Sequence, residues 1–395
     1  MAETAIALTR DAALRRLDDF LPDAAGAYAR LRNKENGPGR HVHVSRLSAA
    51  LRRRLVSEEE VVRAVVARHG LSKAEKFVSE VFWRTYWKGW LEQRPSIWDG
   101  YVMAVERTAF QLEASAQLRQ RYTAAMEART GIDCFDAWAL ELAQTGYLHN
   151  WARMQFASIW IFTLGLPWEL GAAFMFDQLI DADPASNTLS WRWVAGLHTA
   201  GKAYLADAER IRAMTEGRFA PRDIARTARI PADTLVVPQP AAVRQAYGAD
   251  PSAATLLLLT VEDLSVEQLA PMRSLPVKAL AVLEGRNAWD QTALSDSLAR
   301  AAQVWPEAAL VGNVSPADIA QTAKAHGCSQ IATAFLPVGP VAASLAPQRA
   351  AFAEHGLKFA ELLRDWDRRS WPHCRKGFFA LKEKIPALVQ ETVTS

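Results

Sequence analysis

Apolar positions recur at helical spacing over residues 10–32 (RDAALRRLDDFLPDAAGAYARLR) and 56–69 (VSEEEVVRAVVARH). Ser57 stands before three glutamates, an N-cap followed by acids in the first turn. Residues 72–92, 135–147 and 150–164 carry the same period, the last two broken around Gly146. No strand-like alternation occurs before about residue 234. The pattern then changes. RFAPRDIARTARIPADTLVVPQP (218–240) is basic, punctuated by proline, and reads as a linker. Short apolar runs follow at 255–261, 277–284, 308–313 and 330–337, separated by helical stretches at about 290–304, 315–326 and 341–354. Strands apolar throughout that alternate with helices predict a parallel α/β domain. The tail at 372–391 reads as an amphipathic basic helix. The expected organisation is an all-helical domain over 1–217, a linker over 218–250, an α/β domain over 251–371, and a C-terminal helix and tail over 372–395.

Composition narrows the function. The net charge of +3 lies entirely in residues 1–234, where 31 lysines and arginines face 28 acids. That excess is too small for the basic footprint of a sequence-independent DNA binder, so any nucleic-acid contact has to come from a local patch. The run Arg52-Arg53-Arg54 offers one, although a solvated helix face is the simpler reading. Three widely spaced cysteines, Cys134, Cys328 and Cys374, argue for a reducing compartment and against a disulfide framework. No apolar run approaches the roughly 18 residues of a membrane helix, and MAETAIALTRDAALRRL has no apolar signal core. The expected location is the cytoplasm. No nucleotide-binding glycine motif or internal repeat is present. Ten of the 14 tryptophans fall between residues 83 and 193, an outlier that a helical core packed with indoles would account for.

Four local motifs carry candidate chemistry. VSRLS (44–48) sets two hydroxyls and an arginine at a helix mouth, either an anion cradle or an ordinary N-cap. SEVFWRTYW (79–87) puts Glu80 and Arg84 four residues apart, a spacing that also makes a surface ion pair. TGYLHNWARM (145–154) opens a helix with His149 and Asn150, then Arg153 and Met154; a lone histidine there is more often structural. LIDADPASNTLSWRW (179–193) runs from an acidic turn into Trp191 and Trp193.

Together with TGIDCFDA (130–137), the last two motifs resemble, in order, the flavin-binding domain of the photolyase/cryptochrome family; the resemblance runs from about Arg10 to Arg218. It implies an FAD cofactor. By position, Tyr28, Ser45, Leu47 and Ser48 would hold the phosphates and ribityl chain, and Arg84 would help bind the cofactor. Arg153 would pair with Asp181 beside the flavin, Asp183 would accept a hydrogen bond from the ring, and Asn187 would face its N5. Trp191 matches the ring nearest the flavin in the family's three-tryptophan electron chain, and Trp168 matches the middle one. The outer position falls near Ala125, so that tryptophan is missing; either the chain is short, or Trp138, Trp151, Trp160 or Tyr122 substitutes. The resemblance names no metal and no antenna pigment.

Members that repair cyclobutane pyrimidine dimers flip the lesion into a pocket over the flavin. The matching positions are Glu80, Trp83, Asn150, Met154 and Trp193, all of the repair type. The implied function is a deoxyribodipyrimidine photolyase acting as a monomer on UV-damaged DNA, with no membrane partner. The alternatives are a photosensory cryptochrome that signals to a partner protein, and a flavoprotein whose light chemistry is incidental. Two departures weaken the repair reading. Trp151 stands where repair enzymes carry an arginine that touches phosphate, and Val44 replaces a threonine of the phosphate cradle. Most of the family places its α/β domain first. Here it follows the flavin domain, which predicts a permuted order.

Overall fold

The computed structural model describes residues 6–199, 201–232 and 237–394; residues 1–5 of the N-terminal stretch and 233–236 of the expected linker lie outside the described residues. In chain order the first helices are α1 (Arg10–Phe20), α2 (Gly26–Leu31), α3 (Ser48–Arg52), α4 (Glu58–His69), α5 (Leu71–Glu92), α6 (Ser96–Ala114), α7 (Ala116–Met126), α8 (Asp133–Thr145), α9 (Asn150–Ser158), α10 (Trp168–Gln178), α11 (Pro184–Val194) and α12 (Ala208–Met214). Among the described residues no strand precedes Thr255, as the pattern predicted. Local chemistry explains the boundaries. Ser57 and Glu60 close a capping box on α4. Gly146, at φ +66°, ends α8 in the left-handed conformation. The expected helical stretch 10–32 is interrupted by a 3-10 turn at Leu21–Asp23, because Pro22 has no N–H to continue α1. Beyond Ser158, α9 widens into a π-helical turn over Ile159–Thr163. Helices α6 and α7 escaped the periodicity because their apolar faces are not all covered: Val102, Met103 and Phe110 are exposed.

Five strands follow, β1 (Thr255–Leu259), β2 (Val277–Leu283), β3 (Ala309–Val314), β4 (Gln330–Ala334) and β5 (Lys358–Leu362), in the order β3-β2-β1-β4-β5 and all parallel. Central β1 is buried at every position, with Leu256 opposite Ala279 and Ile331. Leu256, Leu258, Ala281, Ile319, Ile331 and Phe352 belong to one buried cluster. Each fully buried leucine contributes about 1.5–3 kcal/mol through removal from water. Strand β5 was not foreseen. Lys358 and Glu361 break its apolar run, and Glu361 is buried only because Arg244 and Arg349 pair with it. The tail is not one helix: Phe378–Lys382 and Ile385–Thr394 are separate. Gly377 is extended, and Pro386 is tolerated only in a first turn.

The chain divides into two compact units, each discontinuous in sequence. One comprises Gly26–Val44 and Arg94–Gln239; the other comprises Ile6–Ala25, Ser45–Gln93 and Pro240–Ser395. The first is helical, with Trp138, Trp151, Trp160 and Trp191 fully buried. Its buried Glu35 accepts from Gly37 N and Trp138 Nε1 and pairs with Arg218; His41 Nε2 lies 2.7 Å from Glu141 Oε1. The second holds the sheet together with α1, α3, α4 and α5. There the arginine run is neither solvated nor exposed. Arg52 pairs with Glu262 at 2.8 Å, Arg53 with Asp290 at 2.6 Å, and Arg54 with Glu58 at 3.1 Å and Asp367 at 2.7 Å, all buried. Glu262 and Asp263 follow β1 at the carboxyl edge, where open α/β sheets usually bind ligands. This protein fills that edge with its own ion pairs. No helix among the described residues is long and apolar enough to cross a membrane.

Candidate functional site

Of the residues assigned by sequence, Tyr28, Asn150, Arg153, Met154, Trp168, Asp181, Asp183, Asn187, Trp191 and Trp193 lie in the first unit. Ser45, Leu47, Ser48, Glu80, Trp83 and Arg84 lie in the second.

In the first unit, His149 caps α9 through Nδ1, which accepts from Trp151 N at 3.3 Å. The first turn of α9 therefore carries Asn150, exposed, and Arg153 and Met154, half-buried. Arg153 donates from Nε to Leu148 O at 2.8 Å and from a terminal nitrogen to Asp181 Oδ2 at 3.0 Å, so the expected pair is present. Asp181 is 2% exposed in its side chain and Arg153 21%, so the pair sets a partly accessible guanidinium over a buried carboxylate. Asp183 caps α11, its Oδ1 accepting from Ser186 N at 2.8 Å. Asn187 donates from Nδ2 to Ala172 O at 2.8 Å, which joins α11 to α10. Burial drives His149 down to about 3, helped by the neighbouring charges of His41 and Arg153, so it is neutral at physiological pH.

The aromatic residues separate by exposure. Trp168 and Trp191 are buried. Trp193 is half-buried, 5.4 Å from Tyr204, whose hydroxyl lies 2.6 Å from Gln155 Nε2. Trp191 meets Trp160 edge-on, with centroids 6.1 Å apart. Trp168 stacks on Tyr101 at 5.6 Å and has the Arg192 guanidinium 5.7 Å from its centroid. Trp151 is buried against Trp138, so that position presents no side chain to a DNA phosphate.

In the second unit, Ser45 Oγ accepts from Leu47 N at 3.3 Å and Ser45 O accepts from Arg16 Nε at 2.7 Å. Leu47 is the N-cap of α3, which starts at Ser48 and lasts only five residues. Glu80, Trp83 and Arg84 are half-buried on α5. Trp83 stacks almost parallel on Phe378, 3.9 Å between centroids and 10° between planes. That partner was not anticipated, and it lies 295 positions further along the chain. Gly171, also unremarked in the sequence, sits inside α10 against Trp191 and Trp160, a helix-interior glycine among bulky residues being the only local clue.

The donor set suits a flavin: a held, partly exposed guanidinium beside a buried carboxylate, a capping carboxylate and an amide on adjacent turns. Residues 77–252 match the family profile described as the FAD binding domain of DNA photolyase. A deoxyribodipyrimidine photo-lyase from Streptomyces griseus is 35% identical over 156 residues, 39% of this chain and 32% of that protein. One from a Synechococcus species is 30% identical over 191 residues, 47% of this chain and 38% of that one. The chain spans about a third to two fifths of the length of these relatives. Among solved structures, a class III photolyase from Agrobacterium tumefaciens aligns over 53% of this chain and 43% of its own, with 27% identity and a TM-score of 0.44. Over residues 77–252, the chain thus carries a domain that matches the FAD-binding domain of DNA photolyase.

Proposed function

We propose that this protein binds FAD and uses light to split cyclobutane pyrimidine dimers in DNA. The observation that carries this reading is the separation by exposure. Glu80, Trp83, Asn150, Met154 and Trp193, assigned to the lesion, are half-buried or exposed, while Trp168 and Trp191, assigned to electron supply, are buried. A repair enzyme needs that division, because the lesion has to reach its partners and the rings nearest the flavin have to stay out of water. The relatives named as photo-lyases support the same class.

Tyr28, Ser45, Leu47, Ser48 and Arg84 hold the phosphate and sugar parts of the cofactor, and Arg153, Asp181, Asp183 and Asn187 its ring. When bound, FAD supplies the photoexcited electron for ring opening, and that chemistry is the cofactor's own. Arg153 stabilises negative charge beside the ring, and Asp181 keeps that guanidinium from standing as an unpaired charge. Glu80 accepts a hydrogen bond from the lesion's base edge. Trp83 and Trp193 give it apolar walls, and Asn150 and Met154 line the approach. The enzyme works as a monomer in the cytoplasm, where its three buried cysteines stay reduced.

The test is a light-dependent assay on an oligonucleotide carrying one thymine cyclobutane dimer, with the flavin chemically reduced. Recovery of thymine absorbance in light and not in darkness is expected. Glu80→Ala lowers the repair yield while flavin content stays normal; unchanged yield refutes its role. A second reading, a photosensor signalling to a partner protein, is favoured by buried Trp151 and by Phe378 stacked on Trp83. It replaces the first if bound, reduced flavin gives no recovery.

A further inference from the structure

We propose that the electron hole formed at Trp191 leaves through Trp160 to Tyr122, a route on which Trp168 is a side branch. This rests on the flavin reading above and identifies the residues that connect its buried end to solvent. Trp191 and Trp160 meet edge-on at 6.1 Å, and Trp160 meets Tyr122 edge-on at 5.8 Å. Three contiguous rings thus run from the core to a half-buried tyrosine. Two backbone features make the contact. The π-helical turn Ile159–Thr163 carries Trp160, and Gly171 leaves room for both indoles. A Cβ at Gly171 would lie 2.4 Å from Trp191 Cη2 and 2.7 Å from Trp160 Nε1.

Electrostatics separates the two branches. A hole on Trp168 is a cation 5.7 Å from the Arg192 guanidinium, a like charge that disfavours it there. Trp160 instead donates Nε1–H to Pro167 O at 2.9 Å, an acceptor that stabilises positive charge on the ring. The branch through Trp168 continues to Tyr101, which is only 5% exposed, so its phenolic proton has little access to bulk water. Tyr122 is partly exposed, and that exposure separates the two tyrosines, since the charge of Asp177 acts on both.

The steps balance. With an oxidised, photoexcited flavin bound, Trp191 would supply it one electron; one from Trp160 then refills Trp191, and one from Tyr122 refills Trp160. Tyr122 releases its phenolic proton to water and becomes a neutral tyrosyl radical. A small-molecule thiol in solution then donates a hydrogen atom to it and is oxidised to a thiyl radical.

The experiment has two arms. In flavin-loaded protein without DNA, radicals are recorded by electron paramagnetic resonance after a blue flash in the absence of thiol. In flavin-free protein, an ultraviolet flash photoionises the indoles, nitrous oxide converts the ejected electrons to hydroxyl radicals that added tert-butanol removes, and the growth of tyrosyl absorbance is followed. The wild type gives a tyrosyl radical in both arms. Tyr122→Phe, which removes only the hydroxyl of a half-buried ring, abolishes the blue-flash signal and lowers the flavin-free one. Trp160→Phe slows its formation about tenfold more than Trp168→Phe does. A tyrosyl signal in Tyr122→Phe equal to wild type, or a greater loss in Trp168→Phe than in Trp160→Phe, overturns the route. A protein that binds no flavin fails the flavin reading instead, and the flavin-free arm still decides the path.

Discussion

Replacing His149 by asparagine tests how the buried start of α9 responds to acid. His149 is 1% exposed, and burial, with His41, Arg153 and His43 adding positive charge, moves its pKa from 6.5 to about 3. The folded state therefore binds fewer protons than the unfolded chain below pH 6.5. Its contribution is constant above pH 6.5 and is lost as pH falls from there towards 3. Each pH unit in that window is about 1.4 kcal/mol, so one unit down costs about 1.4 kcal/mol and the whole window about 5 kcal/mol. Asparagine keeps the cap on Trp151 N, being a preferred N-cap residue, and does not titrate. The assay is urea unfolding of parent and variant at pH 7.5 and 5.5. The parent is expected to lose about 1.4 kcal/mol more than the variant between those two values. His198, lowered to about 3 mainly by burial, remains in both proteins and cancels in the comparison. Equal losses in the two proteins would show that His149 is already solvated or protonated in the fold, and would refute the reasoning.

Glu92 predicts the opposite sign. Burial raises its carboxyl to about 7 against the Val338 N–H and the charge of Arg244, so stability is full below pH 4.5 and falls as pH rises through 7; Glu92→Gln is expected to remove a loss of about 3 kcal/mol between pH 4.5 and 8 in urea unfolding. Arg54→Met strips the cation that Glu58 and Asp367 share in the interior, and is expected to cost about 3–5 kcal/mol in the same assay at neutral pH; a loss under about 1 kcal/mol would mean water already screens the cluster.

The sequence by itself determined what is local. The capping box at Ser57, the left-handed turn at Gly146, the helical character up to Met214 and four of the five strands follow from side-chain type and spacing, because each depends on residues within a turn or two. The ordered motifs also located the FAD-binding domain and the Arg153–Asp181 pair, which joins two such motifs only 28 positions apart. Periodicity tells which faces avoid water but not which partner covers them. Strand β5 was hidden because buried Glu361 looks like a surface residue until Arg244, 117 positions away, neutralises it. Arg52, Arg53 and Arg54 read as a solvated helix face or a basic patch, yet carboxylate partners for them arrive more than 200 positions later in Glu262, Asp290 and Asp367. Only the tertiary structure could decide that these charges are interior, since a charge tolerates burial only where a counter-charge is brought to it. The same holds for Trp83 under Phe378 and for Trp191 against Trp160 across Gly171. Indoles spaced along a chain become a stack or an electron path only when the backbone brings their rings together.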